Sequence, residues 1–190
     1  MSGMTERGII IPHDVTSAVT SSEAAALAAL CRGKTVLELG AYHGYSTVVI
    51  ASVADRVTSV DWHQGDDMAG LGDTWNIFQS VIKRYGVADR IEPVKERFET
   101  ALPRMYREGE QFDGCFLDAH HSPESVAADL ELTLPLIRAG GFVAFHDYGR
   151  GPENGNPGFG VTAVADSAVG ITGRVGYLGW GFLRMPDGEK

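Results

Sequence analysis

Much that would mark a special class of protein is missing from this chain. Two cysteines in 190 residues, Cys31 and Cys115, cannot build a disulfide framework. Cys115 falls in a run that reads as a buried strand and Cys31 closes a helical stretch, so both are expected to be core or near-surface thiols. No apolar run reaches the roughly 18 residues of a membrane span, and the start lacks a basic stretch followed by an apolar one. A cytoplasmic protein is expected. A basic surplus is also absent: 16 Lys and Arg stand against 25 Asp and Glu, a formal charge of −9. Nucleic acids and anionic membranes both want a basic face, so neither is expected as a partner. There is no internal repeat and no low-complexity tract. What is present is 44% hydrophobic and 22% charged, in a length that suits one domain with a sizeable core.

Short β-rich runs alternate with longer helical ones, which predicts an α/β fold with a mostly parallel sheet. Strands are expected at 35–39, 56–61, 90–94, 113–118 and 141–147. Helices are expected near 21–31, 45–54, 74–86, 97–108 and 123–138. Ser21 or Ser22 would cap the first helix. Ser122 followed by Pro123 reads as an N-cap with proline at the first helical position, and Gly140-Gly141 as the stop of that helix. Residues 149–158 are too rich in glycine and proline to be anything but loop. A short helix near 160–168 follows, and the tail 172–185 suggests two final strands, an antiparallel pair. The expected division is an N-terminal segment and helix (1–33), a core (34–148), a substrate loop (149–160) and a C-terminal helix and strand pair (161–190).

The most informative segment is 36–47, Val-Leu-Glu-Leu-Gly-Ala-Tyr-His-Gly-Tyr-Ser-Thr. A strand that turns through Gly40 and Gly44 and restarts as a helix leaves backbone N–H groups and a positive helix end facing one spot. Asp61 ends the next strand 21 residues after Gly40, where a carboxylate can accept hydrogen bonds from a ribose diol. A nicotinamide dinucleotide would use the same arrangement. The glycine pattern separates the two readings. Gly40-Ala-Tyr-His-Gly44 is not G-x-G-x-x-G, because Tyr42 stands where the glycine that admits a pyrophosphate would be. Glu38 adds negative charge that repels phosphate and attracts a sulfonium or an amino group. The residues favour S-adenosylmethionine (SAM) over NAD.

These motifs, with the later Leu-Asp-Ala-His-His and Ala-Phe-His-Asp-Tyr, resemble class I SAM-dependent methyltransferases. The branch that is most similar holds small, metal-dependent O-methyltransferases of sugars and natural products, and the resemblance covers roughly 34–148. It implies a Rossmann-like methyltransferase fold: a seven-stranded, mostly parallel sheet with an antiparallel last strand and helices on both faces. By that resemblance Glu38, Gly40, Ser46 and Thr47 surround the methionine moiety, and Asp61 holds the ribose. Tyr42 and Gly44 complete the loop that borders the cofactor. The adenine contact would come from 96–98, with Phe98 as a stacking face. Trp62 and His63 either cover the adenine or fill the strand-end corner.

Five of six histidines, His43, His63, His120, His121 and His146, fall just after predicted strand ends. Asp118 closes the fourth strand, bordering the cofactor, and Asp147 the fifth. Neighbouring strands lie about 4.8 Å apart, so the two carboxylates would repel unless one is protonated or a cation intervenes. Mg²⁺ fits that need. The metal-binding relatives supply two consecutive acidic residues at the end of the fifth strand, whereas here the pair is His146-Asp147. Asp118, His146 and Asp147 are then the candidate ligands, and an imidazole among them favours a softer ion such as Mn²⁺. Asp147 capping a loop and His146 filling a polar gap is the alternative. Asp118-Ala-His-His121 resembles the branch's Asp-x-x-His signature, which implies His121 as general base, with His146 second. His120 is expected to point to the opposite side and pack, and Asp129 to be a surface or capping-network residue.

The leading reading is an O-methyltransferase acting on a small hydroxylated molecule. Residues 1–20, 65–73 and 149–160 would choose the acceptor. They are short, which suggests an open pocket or one completed by a second subunit in a homodimer. An NAD-dependent oxidoreductase and a non-catalytic protein of the same fold are the alternatives.

Overall fold

In a computed structural model, residues 7–66, 70–152, 155–172, 175–177 and 181–184 are described. Chain order runs α1 (Ser21–Cys31), β1 (Thr35–Leu39), α2 (Tyr45–Val53), β2 (Arg56–Val60) and a small hairpin of β3 (Gly65–Asp66) and β4 (Gly70–Leu71). Then come α3 (Trp75–Arg84), β5 (Ile91–Val94), α4 (Phe98–Glu108), β6 (Phe112–Leu117) and α5 (Pro123–Thr133). The last elements are β7 (Ile137–Phe145), α6 (Val161–Thr172), β8 (Val175–Tyr177) and β9 (Gly181–Arg184).

β1 shows why the sheet lies in the middle. Val36 packs into one apolar layer and Leu37 and Leu39 into the other, and all three are sealed from water. A strand that is apolar on both faces needs helices on both faces. Residues of α1, α2 and α3 form one layer, and residues of α4, α5 and α6 the other. All nine residues of α2 are buried, so this helix runs beneath the surface and needs no polar face.

The sheet order is β5-β2-β1-β6-β7-β9-β8. β5, β2, β1, β6 and β7 run parallel, while β9 pairs antiparallel with both β7 and β8. From β1 the chain builds outward through β2 and β5, then returns to the other side of β1 as β6. The crevice beyond the carboxyl ends of β1 and β6 is therefore a topological switch point, where ligands settle in open α/β sheets.

Boundaries differ from expectation where side chains intervene. The helix expected over 123–138 ends at Thr133, and a single 3₁₀ turn, Leu134–Leu136, leads straight into β7. Pro135 carries no N–H to continue the helical ladder, which accounts for the early stop. Gly140 and Gly141 do not terminate a helix; they lie inside β7, beside a register shift against β6. The cap of α1 is Thr20, not Ser21 or Ser22: its hydroxyl accepts from Glu23 N while the Glu23 carboxylate accepts from Thr20 N at 2.7 Å. That reciprocal capping box stabilises the helix start by about 1 kcal/mol. Helix α6 runs four residues beyond 168, to Thr172. Both cysteines are buried and free. No helix among the described residues is long and apolar enough to cross a membrane.

Candidate functional site

The loop after β1 is shaped by close backbone approach. Gly40 has φ +90, and a Cβ there would lie 1.9 Å from the Asp118 carbonyl oxygen. Only glycine lets the β1 loop pass the end of β6. Asp61, just past β2, then clamps the loop. Its Oδ2 accepts from the Ala41 and Tyr42 N–H groups at 2.8 Å each, and its Oδ1 accepts from His63 N at 2.6 Å. Bonds to an ionised acceptor contribute about 1.5–3 kcal/mol each. Three non-glycine residues among those described have positive φ: Tyr42 (47°), His63 (57°) and Asp147 (60°). Each conformation costs about 1–3 kcal/mol, and such strain gathers at functional sites. All three sit beyond strand ends at the same edge of the sheet.

A cavity of about 930 Å³ opens over those strand ends. Gly40, Tyr42, Ser46, Asp61, Trp62, Phe98 and Asp118 line it. Trp62 is 39% exposed, with the Arg97 guanidinium 3.9 Å above its ring. Glu38, Gly44 and Thr47 stand behind the loop. Glu38 is fully buried, and its Oε2 accepts from the Thr47 and Ser59 hydroxyls at 2.6 Å each. Its Oε1 has no hydrogen-bond partner among the described residues. Burial pushes this carboxyl up to about 7, against the pull of the hydroxyls. His63 takes the corner-filling role: it is 1% exposed, its Nδ1 lies 2.8 Å from the Thr74 hydroxyl, and its ring packs on Trp75 and Phe78. His43 stacks on Tyr42 at 3.8 Å.

At the ends of β6 and β7 two carboxylates and two imidazoles converge. His146 Nδ1 lies 3.1 Å from both Asp118 Oδ1 and Asp147 Oδ2. His121 Nε2 lies 2.9 Å from Asp147 Oδ2 and 3.7 Å from Asp118 Oδ1. One ligand atom from each of the four residues falls within 4.8 Å of all the others. Burial disfavours both imidazolium ions, but the two carboxylates outweigh it. They raise His121 to about 9 and His146 to about 10. Burial also opposes ionisation of Asp118 and Asp147, but the two histidines lower both, holding Asp147 well below the usual carboxylate range. Arg150 adds a third cation, 2.9 Å from Asp147 Oδ1.

The two histidines differ in access. His121 lines the cavity, stacked on Phe159 at 4.4 Å. His146 is 2% exposed and off the cavity wall, with Nε2 3.8 Å from the Glu23 carboxylate. His120 does not turn away to pack; it also lines the cavity, its Nδ1 accepting from Ser122 N at 3.3 Å. Asp129 is not at the surface as expected. It is 8% exposed and lies on the cavity wall. Its place on the buried stripe Val126, Asp129, Leu130, Thr133 of α5 was visible as helical spacing. Phe159 and Arg150 belong to the glycine-rich loop, where no periodicity marks them.

A methyltransferase domain family model matches residues 37–148. The chain belongs to this methyltransferase family. The match spans β1 to the residue after Asp147, and so takes in the clamped loop and the whole histidine–carboxylate cluster. Among solved structures, the O-methyltransferase from Bacillus cereus in complex with SAH shares 25% identity at a TM-score of 0.55. The alignment covers 71% of this chain and 59% of that one, so this chain spans about three fifths of its length. The O-methyltransferase TomG from Streptomyces achromogenes, involved in tomaymycin synthesis and solved with SAM, is similar in fold at a TM-score of 0.64 and 23% identity. That alignment covers 90% of this chain and 82% of TomG. A putative O-methyltransferase from Klebsiella pneumoniae aligns over 94% of this chain and 84% of its own, at a TM-score of 0.63 and 21% identity. No curated protein sequence matches the chain.

Proposed function

We propose that this methyltransferase carries a methyl group from SAM to a hydroxyl of a small molecule. The observation that carries this reading is one cavity bordered at one end by the Asp61-clamped loop and at the other by Asp118 and His121, behind which His146 and Asp147 complete the cluster. Bound SAM supplies an electrophilic methyl on a sulfonium centre. Gly40 and Ser46 give the loop room and polarity for the methionine part, with the buried Glu38 adding negative potential behind it. Asp61 fixes the loop and borders the ribose, and Trp62 and Phe98 offer flat faces to the base. Tyr42 keeps a bulky side chain where a dinucleotide loop needs glycine, which weighs against NAD. In this reading residues 1–190 act as one methyltransferase domain whose sheet has the family's seven-stranded order.

An alcohol attacks well only as its proton leaves, so a base must stand at the acceptor oxygen. His121 is the base in this reading because it alone of the two cluster histidines faces the cavity; raised to about 9, it acts only in its deprotonated form, so methyl transfer rises with pH toward that value. His146, enclosed by three carboxylates, carries a positive charge that orders Asp118 and Asp147, and would give up its Nδ1 proton in order to ligate an ion. The cluster also fits a divalent cation. Ligands around an ion with bonds of about 2.1 Å stand about 3 Å apart in octahedral geometry, close to the 3.1 Å separations at His146 Nδ1. Asp118, His146 and Asp147 would hold the ion, with imidazole favouring Mn²⁺ over Mg²⁺. When bound, it lowers the pKa of the acceptor hydroxyl.

The test is calorimetry with SAH, followed by transfer of labelled methyl from SAM to a panel of hydroxylated sugars and phenols. Saturable SAH binding and label in an ether product are expected. NADH binding without SAH binding overturns the reading.

A further inference from the structure

Glu23 serves two places at once. In the first turn of α1 it completes the capping box: its Oε2 accepts from Thr20 N at 2.7 Å, and its own N–H donates to the Thr20 hydroxyl at 3.3 Å. Ala24, Leu27, Ala28 and Cys31 of the same helix are buried in the core and anchor the carboxylate's starting point. The cap explains a side chain that reaches back to Thr20, and glutamine would serve it too. It does not explain the second contact. The same Oε2 lies 3.8 Å from Nε2 of His146, which follows the last residue of β7. The two side chains are 20% and 1% exposed, so water competes little for the imidazole.

His146 is oriented from both edges of its ring. Its backbone N–H donates to Leu117 O at 3.0 Å, and Phe116 meets the ring edge-on at 6.3 Å. Nδ1 faces the gap between Asp118 and Asp147, 3.1 Å from each. A half-turn of the ring about its Cβ–Cγ bond would exchange Nδ1 for a carbon there and turn a C–H towards Glu23. A carboxylate attracts an N–H far more than a C–H, so Glu23 favours the orientation that keeps nitrogen at the gap. At 3.8 Å the contact is an ion pair, and a side-chain shift of about 1 Å makes it a hydrogen bond. Nδ1 can hold an ion only through its lone pair, which leaves the ring proton on Nε2. Ligating histidines donate that second N–H to a carboxylate or carbonyl, which fixes the ring and makes it a better ligand.

We propose that Glu23 is a positioning residue for the ion site: its carboxylate, placed by the cap of α1, holds the His146 ring with Nδ1 turned to Asp118 and Asp147. The inference rests on the divalent-cation reading above. It ties the start of α1, which follows the cavity-wall residues Thr16, Ser17 and Ala18, to the chemical end of the cavity.

The test is an electron paramagnetic resonance titration of the full chain with Mn²⁺, without SAM or acceptor, in which free ion gives the signal. Wild type is expected to bind Mn²⁺ saturably. Glu23→Ala should weaken that binding about 10–100-fold, the scale for losing such a partner. Glu23→Gln keeps the cap and an acceptor oxygen but loses the charge, and should bind at least about threefold more weakly than wild type. Thr20→Ala damages the same cap and leaves the carboxylate, so its Mn²⁺ affinity should not change. The glutamine variant decides the matter even if the alanine variant fails to fold. Wild-type affinity in Glu23→Gln, or a loss in Thr20→Ala as large as that in Glu23→Ala, overturns the assignment and leaves the ion reading intact. No Mn²⁺ binding by the wild type overturns both.

Discussion

The two ends of the cavity hold their acids in opposite ways. At the β1–β2 end, Asp61 is met by three backbone N–H groups, donors that no pH change removes. At the β6–β7 end, Asp118 and Asp147 are met by two imidazoles, whose charge depends on protonation. A fixed clamp suits a loop that must keep one shape for a cofactor. A titratable cluster suits a site that must take and release a proton. Altering one end should therefore change binding, and altering the other should change chemistry.

The largest effect should come from the chemical end. His121→Ala is expected to lower kcat by about 10²–10⁴-fold, the usual weight of a general base, while SAH affinity stays within about threefold of wild type. Methyl-transfer kinetics and calorimetry on the same variant check both halves. A loss that fell on SAH binding instead would erase the division between the two ends.

Next in size is the clamp. Asp61→Ala strands the N–H groups of Ala41 and Tyr42 and frees a residue, Tyr42, held at φ 47. Losing about 1.5–3 kcal/mol of loop order corresponds to about 10–100-fold weaker SAH binding. The expected pattern is a raised SAM KM with a smaller change in kcat. An unchanged SAH affinity would mean that the loop keeps its shape without the carboxylate.

The titratable end also predicts a pH signature. His121 and His146 are raised from 6.5 to about 9 and about 10 in the fold, burial opposing and the carboxylates prevailing. The folded state thus binds more protons than the unfolded state between those limits, and stability falls as pH rises there. The contribution is complete below about pH 6.5 and is lost as pH climbs through 9 and 10. Thermal melts of EDTA-treated protein from pH 6 to 10.5 should show a declining Tm, and His146→Gln should flatten the decline. A flat wild-type profile would sever the link between histidine charge and the carboxylate pair.

The sequence made the first end more legible than the second. Glu38, Gly40, Tyr42 and Gly44 lie within one short segment, and Asp61 follows at a spacing set by one helix and one strand. Local chemistry therefore pointed to the loop directly. The cluster joins residues 118–121 to residues 146–147, which meet only because β7 pairs with β6, and strand order is a property of the whole sheet. That order came from the family resemblance, not from periodicity. Asp129 shows where phase and composition disagree: the spacing 126, 129, 130, 133 places it on the buried stripe. The general rule that aspartates lie outside points the other way. The end of α5 teaches the same: Pro135, whose missing N–H stops the ladder, comes before the glycine pair and ends the helix first.

The smallest predicted effect marks the border between the two kinds of control. Arg150 contacts Asp147 Oδ1 at 2.9 Å, yet its side chain is 44% exposed while that of Asp147 is 4% exposed. Solvent screens the arginine, so the pair should contribute less than about 1 kcal/mol to stability. Its geometric role is larger than its energy, because Asp147 sits at φ 60 and needs its carboxylate held from both sides. His121 and His146 fix Oδ2, and Arg150 fixes Oδ1. Arg150→Ala is expected to leave SAH affinity unchanged, shift Tm only slightly and lower kcat about two- to fivefold, a cost of less than about 1 kcal/mol. Arg150→Lys keeps the charge without the planar fork and should recover part of that loss. A drop as deep as that of His121→Ala would instead place the guanidinium among the groups that touch the reacting atoms.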